Sequence, residues 1–170
     1  LINICNIEGL PIIEDDVYGD LWFDTPPPAS LKALDSQGLV LYLGSMSKSL
    51  GPGLRIGWVI GPEPVIDRLS DIKMQTDYGS STLSQYAVAE CISTGFYDEH
   101  IKNIRAELKI RRDFTISILN KHFKNIASWN IPHGGFYIWL SINKSISLRY
   151  LFESALKEGL LLNPGAIYDR

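Results

Sequence analysis

The segment Gly44-Ser45-Met46-Ser47-Lys48-Ser49-Leu50-Gly51-Pro52-Gly53-Leu54-Arg55-Ile56-Gly57 follows directly on the apolar run Leu39–Leu43. A short apolar run flanked by glycine and polar residues reads as a buried strand, so the segment delivers Lys48 at a strand end. It gathers one lysine, one arginine, three serines and four glycines. A lysine kept for solvation needs no such surroundings. A lysine that must attack a carbonyl carbon needs its ammonium pKa lowered, by burial or by a cationic neighbour, so that the free amine is available. Arg55 lies seven residues on, and a guanidinium with serine hydroxyls makes a donor set that suits a phosphate. An ordinary solvated loop is the bland alternative, and a second cluster upstream weighs against it.

That cluster is Pro11-Ile12-Ile13-Glu14-Asp15-Asp16-Val17-Tyr18-Gly19. A short apolar strand ends in three acids, with a tyrosine three residues after Asp15. Acid runs at strand ends are often solvated turns, so the cluster has meaning only beside the first. In open α/β sheets, ligands bind outside the carboxyl ends of the strands, where both clusters fall. A carboxylate can pair with a protonated ring nitrogen and a phenol can donate to a ring oxygen. A lysine can condense with an aldehyde, and an arginine can hold a phosphate. Pyridoxal phosphate presents all four groups.

With Glu14-Asp15-Asp16-Val17-Tyr18-Gly19, Ser45–Gly57 and Gly134-Gly135-Phe136-Tyr137-Ile138-Trp139-Leu140 in this order and spacing, the chain resembles the fold-type I, class I/II aminotransferases. Within that group the wording, including Ile72–Ser81 and Ser84-Gln85-Tyr86, is most similar to the C-terminal domain of MocR regulators of the GntR group. The resemblance implies an α/β fold. Its large domain is three-layered and PLP-dependent transferase-like, and a small α+β C-terminal domain follows. Residues 1–95 would belong to the first and 96–170 to the second. It also implies pyridoxal 5'-phosphate as cofactor, an amino acid or related amine as substrate or effector, and a homodimer. Lys48, Asp15 and Tyr18 would be the catalytic set. Cofactor-binding residues would be these three with Arg55, Ser45 and, as a weaker candidate, Ser47. The family's phosphate-loop glycine, ring-stacking aromatic and asparagine would precede Leu1. Its arginine for the substrate carboxylate would follow Arg170, whose own context is wrong for that role. The chain therefore reads as a piece of a longer polypeptide. Two functions remain open: a regulator whose aminotransferase-like domain senses the cofactor or an amine, and a stand-alone transaminase.

Composition excludes little but is consistent. Of 170 residues, 45% are hydrophobic and 21% charged, as in ordinary globular proteins. No apolar run approaches a membrane span. A net charge of −3 carries no electrostatic footprint for nucleic acid, so any DNA contact is expected from a domain outside this chain. Cys5 and Cys91 stand in apolar stretches without ligand spacing and read as reduced core residues of a cytoplasmic protein.

Along the chain, Leu1–Glu8 reads as a helix ended by Gly9, and Pro11–Glu14, Leu39–Leu43 and Ile56–Ile60 as strands of an open parallel sheet. Pro62 opens a helix to Thr76, and Ser81 or Thr82 caps another to Thr94. Asp98–His122 reads as one long amphipathic helix, with Lys109, Arg111 and Arg112 on a solvated face. A boundary is placed near Gly95. Beyond it, Ser128–Ile131 and Gly135–Ile142 are expected to form a hairpin. Ser147–Glu158 reads as a helix, and Leu160–Leu162 as a further strand. Tyr137 and Trp139 are expected in core or interface packing, and His133 in a loop without a catalytic role.

Overall fold

The structure, a computed structural model, describes residues 1–143 and 145–168. It resolves into two compact units, Leu1–Arg111 with His133–Phe136, and Arg112–Pro132 with Tyr137–Arg170. Arg170 itself lies outside the described residues, so its expected lack of a role is not addressed.

The first unit is built on a three-stranded sheet of order β1-β2-β3, comprising Ile12–Asp15, Val40–Ser45 and Gly57–Ile60. Val40 and Leu21 are its fully buried large side chains. β1 and β2 run parallel, with Ile12 opposite Val40 and Asp15 opposite Leu43. β3 runs antiparallel to β2, with Gly44 opposite Trp58 and Ser45 opposite Gly57. The sheet is therefore mixed, not wholly parallel as the sequence suggested. A parallel return needs a crossover of a dozen or more residues, usually helical, and residues 46–56 supply only a tight turn. β2 is launched by Asp35, whose carboxylate accepts from the amides of Val40, Leu39 and Gln37 and from Lys32 Nζ. These bonds, the Val40 amide foremost, hold its carboxyl well below the usual carboxylate range.

Helices flank the sheet in the sequence. α1 (Ile2–Glu8) ends at Gly9 in the left-handed region, φ 64°, whose N–H returns to the Cys5 carbonyl. α2 (Glu63–Asp77) has Pro62 as its N-cap. α3 (Thr82–Ser93) is capped by Ser81, whose hydroxyl accepts from the Ser84 N–H at 3.3 Å. α4 (Phe96–His122) carries Asp98 and Glu99 in its first turn and Lys121 and His122 in its last, both matching the helix dipole. Its basic residues are not simply solvated. Lys109 Nζ sits 2.7 Å from Asp24 Oδ1, and Arg111 also has a partner. Arg112 is buried, 8% exposed, and donates from Nη1 to the Pro132 carbonyl at 2.7 Å. An amphipathic pattern sorts charged residues to one face. It carries no sign that a carbonyl distant in sequence will draw one of them inward.

In the second unit, β4 (Ala127–Trp129) and β5 (Leu140–Ile142) pair antiparallel, and Ser147 caps α5 (Leu148–Lys157). The hairpin is shorter than its sequence suggests because residues 133–135 are engaged elsewhere. In the first unit Gly134 bridges Trp22, and the Gly135 N–H donates to the Leu21 carbonyl at 2.8 Å. Leu160–Leu162 forms no strand. Tyr137 and Trp139 are 64% and 61% exposed rather than packed in a core, and Trp139 meets Tyr168 edge-on at 6.2 Å.

Candidate functional site

The parallel register of β1 and β2 sets the two candidate clusters side by side. Asp15 closes β1 opposite Leu43, and the Asp16 N–H extends the ladder to the Leu43 carbonyl at 3.0 Å. β2 ends two residues later at Ser45 and runs into the lysine turn.

The three acids of β1 and its end separate by their partners. Glu14 accepts from the N–H groups of Leu31 and Lys32 at 2.7 and 2.9 Å, which satisfies the amides where the 3₁₀ turn Lys32–Leu34 begins. Asp16 accepts from the Tyr42 hydroxyl at 2.8 Å. Burial, then this bond, pushes the Tyr42 phenol up to about 12. Gly19 lies so close to Asp16 that a Cβ there would stand 2.6 Å from both carboxylate oxygens. Glu14 and Asp16 are thus committed to scaffolding. Asp15 is exposed and its carboxylate has no hydrogen bond or ion pair among the described residues. The sequence held no hint of this division, since the partners lie 17 and 26 residues away.

Lys48 stands in the turn after β2, 5.7 Å above the centroid of the Tyr18 ring. It makes no ion pair among the described residues and is exposed, so within this chain the burial expected around a reactive lysine is absent. Tyr18 is oriented from its other side by Phe136, edge-on at 5.8 Å and 79°. Phe136 belongs to the Gly-Gly-Phe motif, which the Leu21–Gly135 bond ties to this unit.

Arg55 has φ 55° and ψ 38°, a left-handed conformation that only glycine adopts without cost. Its guanidinium is exposed and touches the Pro52 carbonyl at 3.3 Å, with no acidic partner among the described residues. Ser45 holds the loop closed, donating to the Ile56 carbonyl at 3.2 Å and accepting from the Ser47 N–H at 3.1 Å. To donate to a phosphate it would have to leave Ile56, whereas the Ser47 hydroxyl has no partner among the described residues. Across the ladder from Trp58, Gly44 leaves no room for a side chain: a Cβ there would collide with the indole.

Among the described residues, one end of the sheet thus gathers an unpaired carboxylate, an ammonium without a counter-ion and a guanidinium without a counter-ion, while the neighbouring Glu14 and Asp16 are held by hydrogen bonds. The family model described as aminotransferase class I and II matches residues 1–169. The chain belongs to this aminotransferase family. The aminotransferase domain is 57% identical over 159 residues to the HTH-type transcriptional regulator YdfD of Bacillus subtilis, covering 94% of this chain and 33% of that protein. It is 44% identical over 169 residues to the HTH-type transcriptional regulator NorG of Staphylococcus aureus, covering 99% of the chain and 38% of that protein. The chain thus spans about a third of the length of these relatives. Among solved structures, the kynurenine aminotransferase of Pyrococcus horikoshii in complex with PMP superposes with a TM-score of 0.91 at 33% identity, over 96% of this chain and 41% of that one. LysN, the alpha-aminoadipate aminotransferase of Thermus thermophilus complexed with N-(5'-phosphopyridoxyl)-L-leucine, gives 0.90 at 29%, over 96% and 43%. The fold is that of the fold-type I aminotransferases. Among the described residues no helix is long and apolar enough to cross a membrane, and no group of His, Cys, Asp and Glu could hold a metal ion.

Proposed function

We propose that this aminotransferase-like domain binds pyridoxal 5'-phosphate and serves as the effector domain of a cytoplasmic, DNA-binding transcription regulator that works as a homodimer. The observation that carries the cofactor is the unpaired trio Asp15, Lys48 and Arg55 at one sheet end, whose chemistry suits in turn a protonated ring nitrogen, an aldehyde and a phosphate. The regulator reading draws on YdfD and NorG, which share 57% and 44% identity with the domain. Residues 1–95 would belong to the large cofactor domain and 96–170 to the small one. DNA contact falls to a region outside this chain, whose net charge of −3 gives no overall attraction for nucleic acid.

When bound, the cofactor supplies an aldehyde and a ring that accepts electrons. Lys48 would hold the cofactor through its amine, and its free amine would serve as the base for the proton on the α-carbon of an incoming amino compound. Asp15 keeps the proton on the ring nitrogen, because a carboxylate beside it favours the charged form. Tyr18 would donate to the ring oxygen, and its ring lies 5.7 Å from the Lys48 ammonium. Arg55 takes the phosphate in a fork that lysine cannot reproduce.

The test uses the full-length protein. Borohydride treatment of the cofactor-loaded protein should abolish its visible absorption and leave the label on Lys48 in peptide maps, and Lys48→Ala should show no band. Label on another lysine overturns the assignment. Loading with cofactor or an amine should also change the affinity for its own promoter DNA. A second reading, a stand-alone transaminase, is favoured by the 33% identity to the kynurenine aminotransferase. It predicts turnover of an amino acid and a 2-oxo acid, with no DNA binding.

A further inference from the structure

The Gly-Gly-Phe motif is tied to the segment that follows Tyr18 by two backbone bonds. The Phe23 N–H donates to the His133 carbonyl at 2.7 Å and the Gly135 N–H to the Leu21 carbonyl at 2.8 Å, bracketing the antiparallel bridge between Trp22 and Gly134. Leu21, only 1% exposed, in turn donates its own N–H to the Tyr18 carbonyl at 2.9 Å. Residues 133–136 group with the first unit although the sequence on either side, up to Pro132 and from Tyr137, belongs to the second. Both glycines are needed for this geometry. A Cβ on Gly134 would stand 2.6 Å from the Leu21 carbonyl oxygen and 3.0 Å from the Trp22 Cα, backbone atoms that yield only if the bridge opens. Gly135 has φ 78°, in the left-handed region that glycine enters without cost.

The bridge fixes where the next ring stands. Phe136 meets Tyr18 edge-on, with ring centroids 5.8 Å apart at 79°, inside the range that aromatic pairs favour. Gly135 borders the same ring: a Cβ there would come 4.0 Å from Tyr18 Cδ1. α4 holds the intervening turn as well. The Tyr97 hydroxyl donates to Asp20 Oδ2 at 2.6 Å, Arg105 Nε donates to the Asp20 carbonyl at 2.7 Å, and the Arg105 guanidinium stands 4.0 Å over the Trp22 ring. Phe136 itself is 46% exposed, so its ring contributes little to a core. Leucine would cover similar surface, but it has no ring to meet another edge-on.

We propose that Phe136 is a positioning residue for Tyr18: the bridge at Gly134 sets its ring against the tyrosine and so fixes the direction of the phenol. The inference rests on the cofactor reading above, in which Tyr18 donates to the ring oxygen of the bound group. Phe136 acts through Tyr18 and not on the reacting atoms. A tyrosine turns about two side-chain bonds. Where its ring is already held, the bond to the cofactor need not bear the cost of ordering it.

The experiment compares full-length wild type with Phe136→Leu, Phe136→Tyr, Tyr18→Phe, the Tyr18→Phe/Phe136→Leu double variant and Gly134→Ala. With cofactor bound, the pH midpoint of the visible absorption should shift in Phe136→Leu in the direction that Tyr18→Phe shifts it, by roughly half a unit, the scale of one edge-on aromatic pair. Phe136→Tyr keeps the ring and should hold the wild-type midpoint. In the double variant the midpoint should stay where Tyr18→Phe alone puts it, because the phenol through which Phe136 acts is gone. Without cofactor, amide exchange at Phe23 and Gly135 should accelerate roughly five-fold in Gly134→Ala, as loss of one net hydrogen bond would give. Loaded with cofactor, the same variant should reproduce the Phe136→Leu shift. A midpoint unmoved in Phe136→Leu, or moved equally with and without the Tyr18 hydroxyl, overturns the proposal, as does unchanged exchange at Phe23 and Gly135. A wild-type protein that takes up no cofactor, or a midpoint that Tyr18→Phe leaves in place, defeats instead the reading on which the proposal rests.

Discussion

Gly44→Ala is a sharp test of how the lysine loop is built. Gly44 faces Trp58 across the β2–β3 ladder, and a Cβ at this position would overlap Cε2, Cζ2 and Nε1 of the indole. The indole is 38% exposed, and an added Cβ would meet its ring atoms rather than the end of a flexible chain, so the ring must shift to admit it. Overfilling a packed contact costs about 1–3 kcal/mol. Against this, replacing a strand glycine by alanine recovers about 0.5–1 kcal/mol of backbone entropy. The net expectation is a loss of up to about 2.5 kcal/mol. In a Trp58→Ala background the obstacle is gone and only the entropic gain remains, so the same substitution should stabilise by about 0.5–1 kcal/mol. Urea unfolding of the four proteins of this cycle reads both values as midpoint shifts at constant slope. Equal destabilisation in the two backgrounds would refute the packing account, since it would mean that Gly44 is required for something other than the indole.

Two further expectations follow from the division of labour at the end of β1. Glu14→Ala strips the partner from two backbone amides and should cost about 1–3 kcal/mol in urea unfolding while leaving the cofactor spectrum intact, whereas Asp15→Asn should do the reverse. The phenols of Tyr42 and Tyr97, both pushed up to about 12 in the folded chain against an ordinary value of 10, lose their protons later than in the unfolded chain. Between pH 10 and 12 the folded state therefore binds more protons, and stability, fully present below pH 10, should fall as pH rises through that window. Replacing both tyrosines by Phe should flatten the fall in pH-dependent thermal melts.

The strands of the first sheet and all five helices could be read from the sequence because burial and capping leave local marks. Val40–Ser45 is apolar where it is covered, and Ser81 and Ser147 announce the helices that they cap. The site clusters were legible for a related reason. A carboxylate, a lysine and an arginine at strand ends are chemically conspicuous, and their common end of the sheet follows from the register of β1 on β2. What stayed hidden depends on partners distant in sequence. Tyr97 and Asp20 are 77 positions apart, and Arg105 reaches an Asp20 carbonyl 85 positions back. The hairpin was overextended for the same reason: the pairing of Gly134 with Trp22 competes with a local alternation that by itself favours a longer strand. Burial or a cationic neighbour was expected of Lys48 from the chemistry asked of it, and the groups within this chain leave the residue exposed.

Arg55 adds an evolutionary consequence. Holding a non-glycine residue in the left-handed region costs on the order of 1 kcal/mol, and glycine would relieve it in a single step. Mutation alone would therefore drift toward glycine or asparagine at this position whenever the guanidinium ceased to serve a purpose. The residue at 55 then becomes a tell-tale for lineages of this domain. Where arginine persists, selection is still maintaining an anion grip against a steady thermodynamic pull, and where it has relaxed to glycine, the pocket has been released from duty.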